Sequence, residues 1–289
     1  VSNLYIYLNS EFIKDTEARI SPFDHGFLYG LGVFETFRVY KGFSFLLKDH
    51  IERLNQSLEQ LNIHYKADVD EAIQVIDRLL FLNKCENKDV TIRLNVSAGN
   101  GEVGKLTESY FKPNVMYLLR QAPPNNDIEK NIAILQTRRN TPEGSYRLKS
   151  HHYLNNILGK RELIETPELE GIFLTEKGYV SEGIVTNVFW VKKGIVYTPS
   201  LDTGILNGIT RQFIMRCLST LEIPFQEGQY TLDEMICADE IFLTNSTQEI
   251  LPVKEMGEHL YPGNEGAVVN KLKGMYKHYH SKLLTIEEL

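Results

Sequence analysis

Arg147-Leu148-Lys149-Ser150-His151-His152-Tyr153-Leu154-Asn155-Asn156 places a single lysine just ahead of a helix, and Ser181-Glu182-Gly183-Ile184-Val185-Thr186-Asn187-Val188-Phe189 places a lone carboxylate in a turn that leads into an apolar strand. A lysine that attacks a carbonyl must lose its proton, which calls for partial burial and a nearby cation or apolar wall. A carboxylate that keeps a ring nitrogen protonated needs the reverse, a polar setting. Lys149 and Glu182 are therefore candidates for the two handles of an aldehyde cofactor, a Schiff-base lysine and an acid facing a pyridinium nitrogen. Both also have an ordinary reading, because a lysine before a helix and a glutamate in a turn are usually solvated.

Working outward from the lysine, Leu154, Ile157, Leu158 and Leu163 fall on one stripe, so a helix is expected from about His151 to Ile164. Hairpins come next, turning at Lys177-Gly178 and Lys193-Gly194, and Gly208-Ile209-Thr210-Arg211 opens a further helix. Upstream, Val33-Phe34-Glu35-Thr36-Phe37-Arg38 alternates as a strand with one face to the core and the other to a cleft or to water. Ile51, Leu54, Leu58 and Leu61 recur at helical spacing and carry Arg53 beside their stripe. Hairpins mixed with helices, without strict strand-helix alternation, favour an α+β architecture. Ala122-Pro123-Pro124-Asn125-Asn126-Asp127 stacks turn formers. The boundary is placed there, with a small N-terminal domain over 1–121, a linker over 122–127 and a larger domain over 128–289.

Bulk composition narrows the function classes. A chain with 42% hydrophobic and 24% charged residues is an ordinary globular protein, and a net charge of −7 argues against a nucleic-acid footprint. The partner is expected to be a small molecule. No apolar run reaches the roughly 18 residues of a membrane span, and the opening residues lack the pattern of a secretory signal, so a cytoplasmic location with no membrane partner is expected. Cys85, Cys217 and Cys237 are widely and irregularly spaced, which gives neither a disulfide framework nor a metal knuckle.

Other motifs compete for attention. Gly99-Asn100-Gly101-Glu102-Val103-Gly104 spells G-x-G-x-x-G, but the run from Lys105 to Pro113 does not read as the helix a dinucleotide site requires; a glycine loop near a cleft is the preferred reading. His151 and His152 are neighbours, and side chains at adjacent helical positions point about 100° apart, so no metal site is expected there. The start of the helix at Gly208-Ile209-Thr210 suits an anion, and so do the hydroxyls of Thr244-Asn245-Ser246-Thr247, although a plain cap and a plain turn explain them equally.

Taken together and in order, these segments resemble the class IV aminotransferases, the type IV fold of pyridoxal-phosphate enzymes. Asp24-His25-Gly26 with Gly30-Leu31-Gly32-Val33-Phe34-Glu35-Thr36-Phe37-Arg38 is similar to that family's N-terminal signature, and His50-Ile51-Glu52-Arg53-Leu54 to its phosphate-arginine helix. Leu148-Lys149-Ser150, Glu182-Gly183-Ile184-Val185-Thr186-Asn187, Gly208-Ile209-Thr210-Arg211 and Asn245-Ser246-Thr247-Gln248-Glu249 are similar to its later signatures. The resemblance implies the cofactor pyridoxal 5'-phosphate, a two-domain fold like that of D-amino-acid aminotransferase with a C-terminal pseudo-barrel, and a homodimer whose partner completes the site. It implies that Lys149 carries the cofactor and shuttles protons, and that Glu182 pairs with the ring nitrogen. Arg53, Ile209, Thr210 and Ser246 would hold the phosphate; Asn187 belongs to the same cofactor set, and Thr247, Arg93 and Tyr29 would meet the substrate.

Three activities of that family compete. The Arg-x-His pair of D-amino-acid aminotransferases is not found, and the Tyr-x-Arg-Pro strand of branched-chain aminotransferases is replaced by Arg93-Leu94-Asn95. The runs Arg93-Leu94-Asn95-Val96-Ser97-Ala98-Gly99, Arg139-Asn140-Thr141-Pro142-Glu143-Gly144 and Lys149 to Asn156 are most similar to the aminodeoxychorismate lyases of folate biosynthesis. That resemblance implies a lyase releasing 4-aminobenzoate and pyruvate; an aminotransferase, or a cofactor-binding chain without turnover, is the alternative.

Overall fold

The computed structural model describes residues 3–105, 109–123 and 128–289, so residues 124–127 of the expected linker lie outside the described residues. The chain divides into two compact units. The first runs through Pro123 and gains Leu148–His152 and His280–Glu288 from later in the chain. It contains β1 (Tyr5–Leu8), β2 (Glu11–Lys14), α1 (His25–Tyr29), β3 (Gly32–Tyr40), β4 (Phe43–Ser44), α2 (Leu47–Gln60), α3 (Val69–Leu82), β5 (Val90–Ser97) and β6 (Asn114–Gln121). The strands form one antiparallel sheet in the order β2-β1-β6-β5-β3-β4.

Helical spacing correctly assigns the inward face of α2, where Ile51, Leu54 and Leu58 are buried in the core with Phe37 and Val39 of β3. Each fully buried leucine contributes about 2 kcal/mol. The alternation in β3 is less informative, because all but one of its residues are buried and neither face is left to water. The preceding glycine-rich stretch holds a helix that its sequence does not announce. Asp24 caps α1 by accepting from the Gly26 amide at 2.5 Å, and Gly30, at φ 70°, ends it in the left-handed region.

The lysine segment adds to the edge of this sheet. Phe34 N donates to Lys149 O at 2.9 Å, His151 N donates to Gly32 O at 3.0 Å, and Ser150 bridges Val33 antiparallel. Residues 149–151 are thus extended, which is why the following helix starts at Leu154 and not at His151.

The second unit holds residues 128–147 and Tyr153–Tyr279. It contains β7 (Lys130–Ile134), α4 (Leu154–Glu162), β8 (Glu170–Leu174), β9 (Val180–Gly183), β10 (Asn187–Lys192), β11 (Ile195–Pro199), α5 (Ile209–Thr220), β12 (Phe225–Gly228), α6 (Leu232–Ile236), β13 (Glu240–Asn245), β14 (Glu249–Met256), β15 (His259–Leu260) and α7 (Ala267–Tyr279). Its mixed sheet runs β12-β11-β10-β13-β14-β7-β8-β9, with β15 on β14. The terminal β9 packs back on β10, so the sheet curls into a half-barrel around Ile172, Val188, Trp190, Leu243 and Val253. This is the α+β fold with a pseudo-barrel that the sequence leads one to expect.

One helix departs from expectation over most of its stripe, of which Leu163 alone is buried. Leu154, Ile157 and Leu158 of α4 are exposed at 68%, 43% and 40%, while Asn156 and Gly159 are buried. The reason is local: at Gly159 a Cβ would come within 2.6 Å of the Phe173 ring, and Asn156 donates to Ile184 O. The close-packed face therefore needs a small residue and a polar one. No helix among the described residues is long and apolar enough to cross a membrane.

Candidate active site

Glu182 lies on β9 and is buried, not in an exposed turn as its sequence context suggests. Its neighbours in β9 are buried too, which commits the strand to the half-barrel wall. Both carboxylate oxygens face donors. Oε1 accepts from Arg139 Nε at 2.9 Å and lies 2.8 Å from Arg139 Nη2, with Arg147 Nε at 3.8 Å. Oε2 accepts from the Leu206 amide at 2.9 Å and from Asn187 Nδ2 at 3.3 Å. Asn187 Nδ2 also donates to Leu206 O at 2.9 Å, so it ties β10 to the approach to α5. Arg139 in turn reaches Asn155 Oδ1 at 2.7 Å and Asn156 Oδ1 at 3.2 Å on α4. Burial, then the neighbouring Arg139 charge, pushes the Arg147 guanidinium down to about 10.

The same unit offers an anion cradle. Gly208 is the N-cap of α5 and supplies no side-chain cap to its first amides. Glycine is required there, since a Cβ would come within 2.2 Å of Asn187 Oδ1. Ile209 and Thr210 open the helix and are buried, and Thr210 Oγ1 sits 3.1 Å from Ser246 Oγ at the end of β13. Arg211 locks this corner by donating to Pro199 O at 3.0 Å and to Asn207 Oδ1 at 3.3 Å. Thr247 belongs to a turn closed on Asn245 Oδ1, to which its amide and hydroxyl both donate at 3.0 Å.

In the first unit, Lys149 Nζ lies 4.7 Å from the centroid of the Phe34 ring, the apolar wall that a reactive amine requires. The Arg93 guanidinium covers the same ring at 3.6 Å. Arg53, carried by α2, is gripped by Glu35, with Nε to Oε1 at 2.7 Å and Nη2 to Oε2 at 2.6 Å. His50 adds a contact to Glu35 Oε2 at 2.7 Å. Burial alone would raise the Glu35 pKa, but Arg53 and His50 hold it at about 2. Tyr29 is half exposed and its hydroxyl accepts from Gly104 N at 2.9 Å.

The G-x-G-x-x-G stretch opens no helix over residues 99–105; residues 106–108 lie outside the described residues. It docks on α1, with His25 N donating to Gly99 O at 2.9 Å and Gly101 N to Phe23 O at 3.1 Å. His151 and His152 pack against Gly32 and Gly30, at distances that leave no room for a Cβ on either glycine.

Of the residues singled out from the sequence, Glu182 and Asn187 share a hydrogen bond, and Thr210 lies beside Ser246. Sequence reasoning assigns no role to Arg139 and Arg147, which flank Glu182, or to Asn155, which accepts from Arg139. Their signal lies in the Arg139 and Asn155-Asn156 runs, but a surface arginine and one that reaches a buried acid look alike in sequence. Glu35, read as part of a strand and of the N-terminal signature, grips Arg53 through both carboxylate oxygens.

A class IV amino-transferase family model matches residues 32–256, and the chain belongs to that family. The aminodeoxychorismate lyase of Bacillus subtilis (strain 168) is 47% identical over 94% of this chain and 93% of its own length. The crystal structure of 4-amino-4-deoxychorismate lyase from Pseudomonas aeruginosa superposes with a TM-score of 0.82 at 25% identity, covering 95% of this chain and 98% of that one. The branched-chain aminotransferase of the thermophilic archaeon Thermoproteus uzoniensis, solved with norvaline, gives 0.86 at 26% identity, covering 96% and 94%. The protein is an enzyme of a pyridoxal-phosphate-dependent family. Its donor set fits that cofactor: an uncapped helix start with two hydroxyls beside it suits a phosphate, a buried carboxylate ringed by donors suits a ring nitrogen, and a lysine stands over an aromatic ring.

Proposed function

We propose that the protein is a pyridoxal-phosphate-dependent lyase that converts 4-amino-4-deoxychorismate to 4-aminobenzoate and pyruvate in folate biosynthesis. The likeness to the Bacillus subtilis lyase over nearly the full length of both chains carries this reading. Lys149 holds the cofactor, and Glu182 faces its ring nitrogen, oriented by Arg139 and Asn187. Arg53, Ile209, Thr210 and Ser246 take the phosphate, with Glu35 setting the direction of the Arg53 guanidinium. Arg93, Thr247 and Tyr29 line the substrate's side.

When bound, the cofactor supplies an electron sink for a carbanion at the amine-bearing carbon. Lys149 takes the proton from that carbon. The ring C–O bond then breaks, the enolpyruvyl oxygen leaves with the electron pair, and the ring becomes aromatic. Lys149 returns a proton to the methylene carbon of the departing enolpyruvate, giving pyruvate. A transaminase uses the same lysine and the same acid, so the aminotransferase reading is kept alive by the likeness to the Thermoproteus uzoniensis enzyme.

The exposed Leu154, Ile157 and Leu158 on α4 support a homodimer, as does the family, and a second copy of the chain is their proposed cover. Three cysteines in no disulfide fit a reducing compartment, and a cytoplasmic location is part of the proposal. So is the division of the chain at 122–127 into a small N-terminal domain and a cofactor-binding domain. The deciding experiment supplies aminodeoxychorismate with no keto acid present. Release of 4-aminobenzoate and pyruvate in equal amounts is expected; absence of both, with amino transfer from an amino acid to 2-oxoglutarate, would make the enzyme a transaminase.

A further inference from the structure

Two residues beyond the lysine, His151 has a position that the proposed reaction does not use. Its ring stacks on Phe34 with centroids 6.4 Å apart and planes 27° apart, on the aromatic side chain that also carries Lys149 and Arg93. Its Nε2 lies 3.0 Å from Asn95 Oδ1, and Arg93 Nη2 reaches the same oxygen at 3.5 Å. Two donors converging on one oxygen decide the amide's orientation, since the reversed amide would turn its N–H groups on a guanidinium. The imidazole proton is therefore on Nε2. The ring is fixed from below as well, because a Cβ at Gly32 would meet Cε1 within 2.4 Å.

Electrostatics favours an uncharged ring. Burial, then the adjacent Arg93 charge, pushes His151 down to about 4, with Asp24 acting in the other direction and His152 adding to the depression. A cation beside Arg93 would be repelled by it.

We propose that His151 is a positioning residue: as a neutral Nε2–H donor it fixes the Asn95 amide, and Asn95 holds the Arg93 guanidinium over the Phe34 ring, which also carries Lys149, to receive a carboxylate of the substrate. The class of ligand it selects is a cyclic amine that carries a carboxylate at a fixed distance from the amine. This rests on the assignment of Lys149 as the reactive amine, but the experiment separates the two.

Three readouts bear on it. First, 15N-labelled imidazole spectra of the wild-type holoenzyme at pH 7 should show His151 neutral with the proton on Nε2; a cation or an Nδ1–H tautomer overturns the proposal whatever the reaction proves to be. Second, His151→Phe, which keeps the stacking but removes the donor, should raise KM for aminodeoxychorismate about tenfold, the scale of one hydrogen bond in a charged network, with kcat changed less than about twofold. His151→Gln, which restores a donor, should recover most of that loss. Equal behaviour of the two variants, or a fall in kcat at constant KM, overturns it. Third, 4-aminobenzoate binding by calorimetry, which needs no turnover, should weaken in His151→Phe by the same factor; unchanged binding overturns it. If a lysine other than Lys149 is the reactive amine, borohydride reduction labels that other lysine and Lys149→Ala retains turnover, while the imidazole spectrum and the calorimetric comparison still decide the role of His151.

Discussion

Arg139 holds Glu182 from two nitrogens, Nε at 2.9 Å and Nη2 at 2.8 Å, and both side chains are buried. The same guanidinium reaches Asn155 and Asn156, so the acid on β9 is registered against α4 through one side chain. Arg139→Ala would strip a buried carboxylate of its closest cation, a change that typically costs about 3–5 kcal/mol. Turnover should fall about a hundredfold, as expected when a reacting group loses its alignment. Thermal unfolding and kcat measured together check this; a variant with wild-type kcat would show that Arg139 does not orient Glu182.

Glu35 ties strand to helix through Arg53 and His50. Burial opposes its charge, but its two partners prevail, and its pKa falls from 4.5 to about 2. The sign follows from linkage: the stabilisation is fully present above pH 4.5 and is lost as pH falls through about 2. Glu35→Gln should therefore be less stable than wild type at neutral pH, with the gap closing in acid. Its cofactor affinity should drop about tenfold, because Arg53 loses a charge-assisted partner. Chemical denaturation at a series of pH values, with cofactor titration, tests both; a stability gap independent of pH would count against the ion pair.

Much of the fold and site is legible in the sequence wherever local pattern and tertiary environment agree. The α2 stripe and the glycine before Ile209 each follow from a rule that needs only neighbours in the chain. The failures occur where distant residues decide. His151 reads as the start of a helix until β3 supplies residues 149–151 with backbone partners. The stripe of α4 reads as inward until Phe173 and Leu135 leave room only for Gly159. Glu182 looks solvated until Arg139, far away in sequence, closes over it.

The outward apolar face of α4 gives a third expectation. Ile157→Asp places a charge in the centre of the exposed Leu154, Ile157 and Leu158 face without touching the buried Asn156 or Gly159. A wild-type dimer in analytical ultracentrifugation should shift to monomer in this variant, because burying an unpaired charge costs several kcal/mol. Turnover should fall with the dimer fraction. A variant that stays dimeric would move the interface elsewhere.

Reduction of the holoenzyme with borohydride, followed by peptide mapping, tests the assignment of Lys149 most directly. The cofactor mass should appear on the peptide containing Lys149 and on no other, and Lys149→Ala should yield no labelled peptide and no turnover. A label on a different lysine, or a protein that takes up no cofactor at all, would contradict the account.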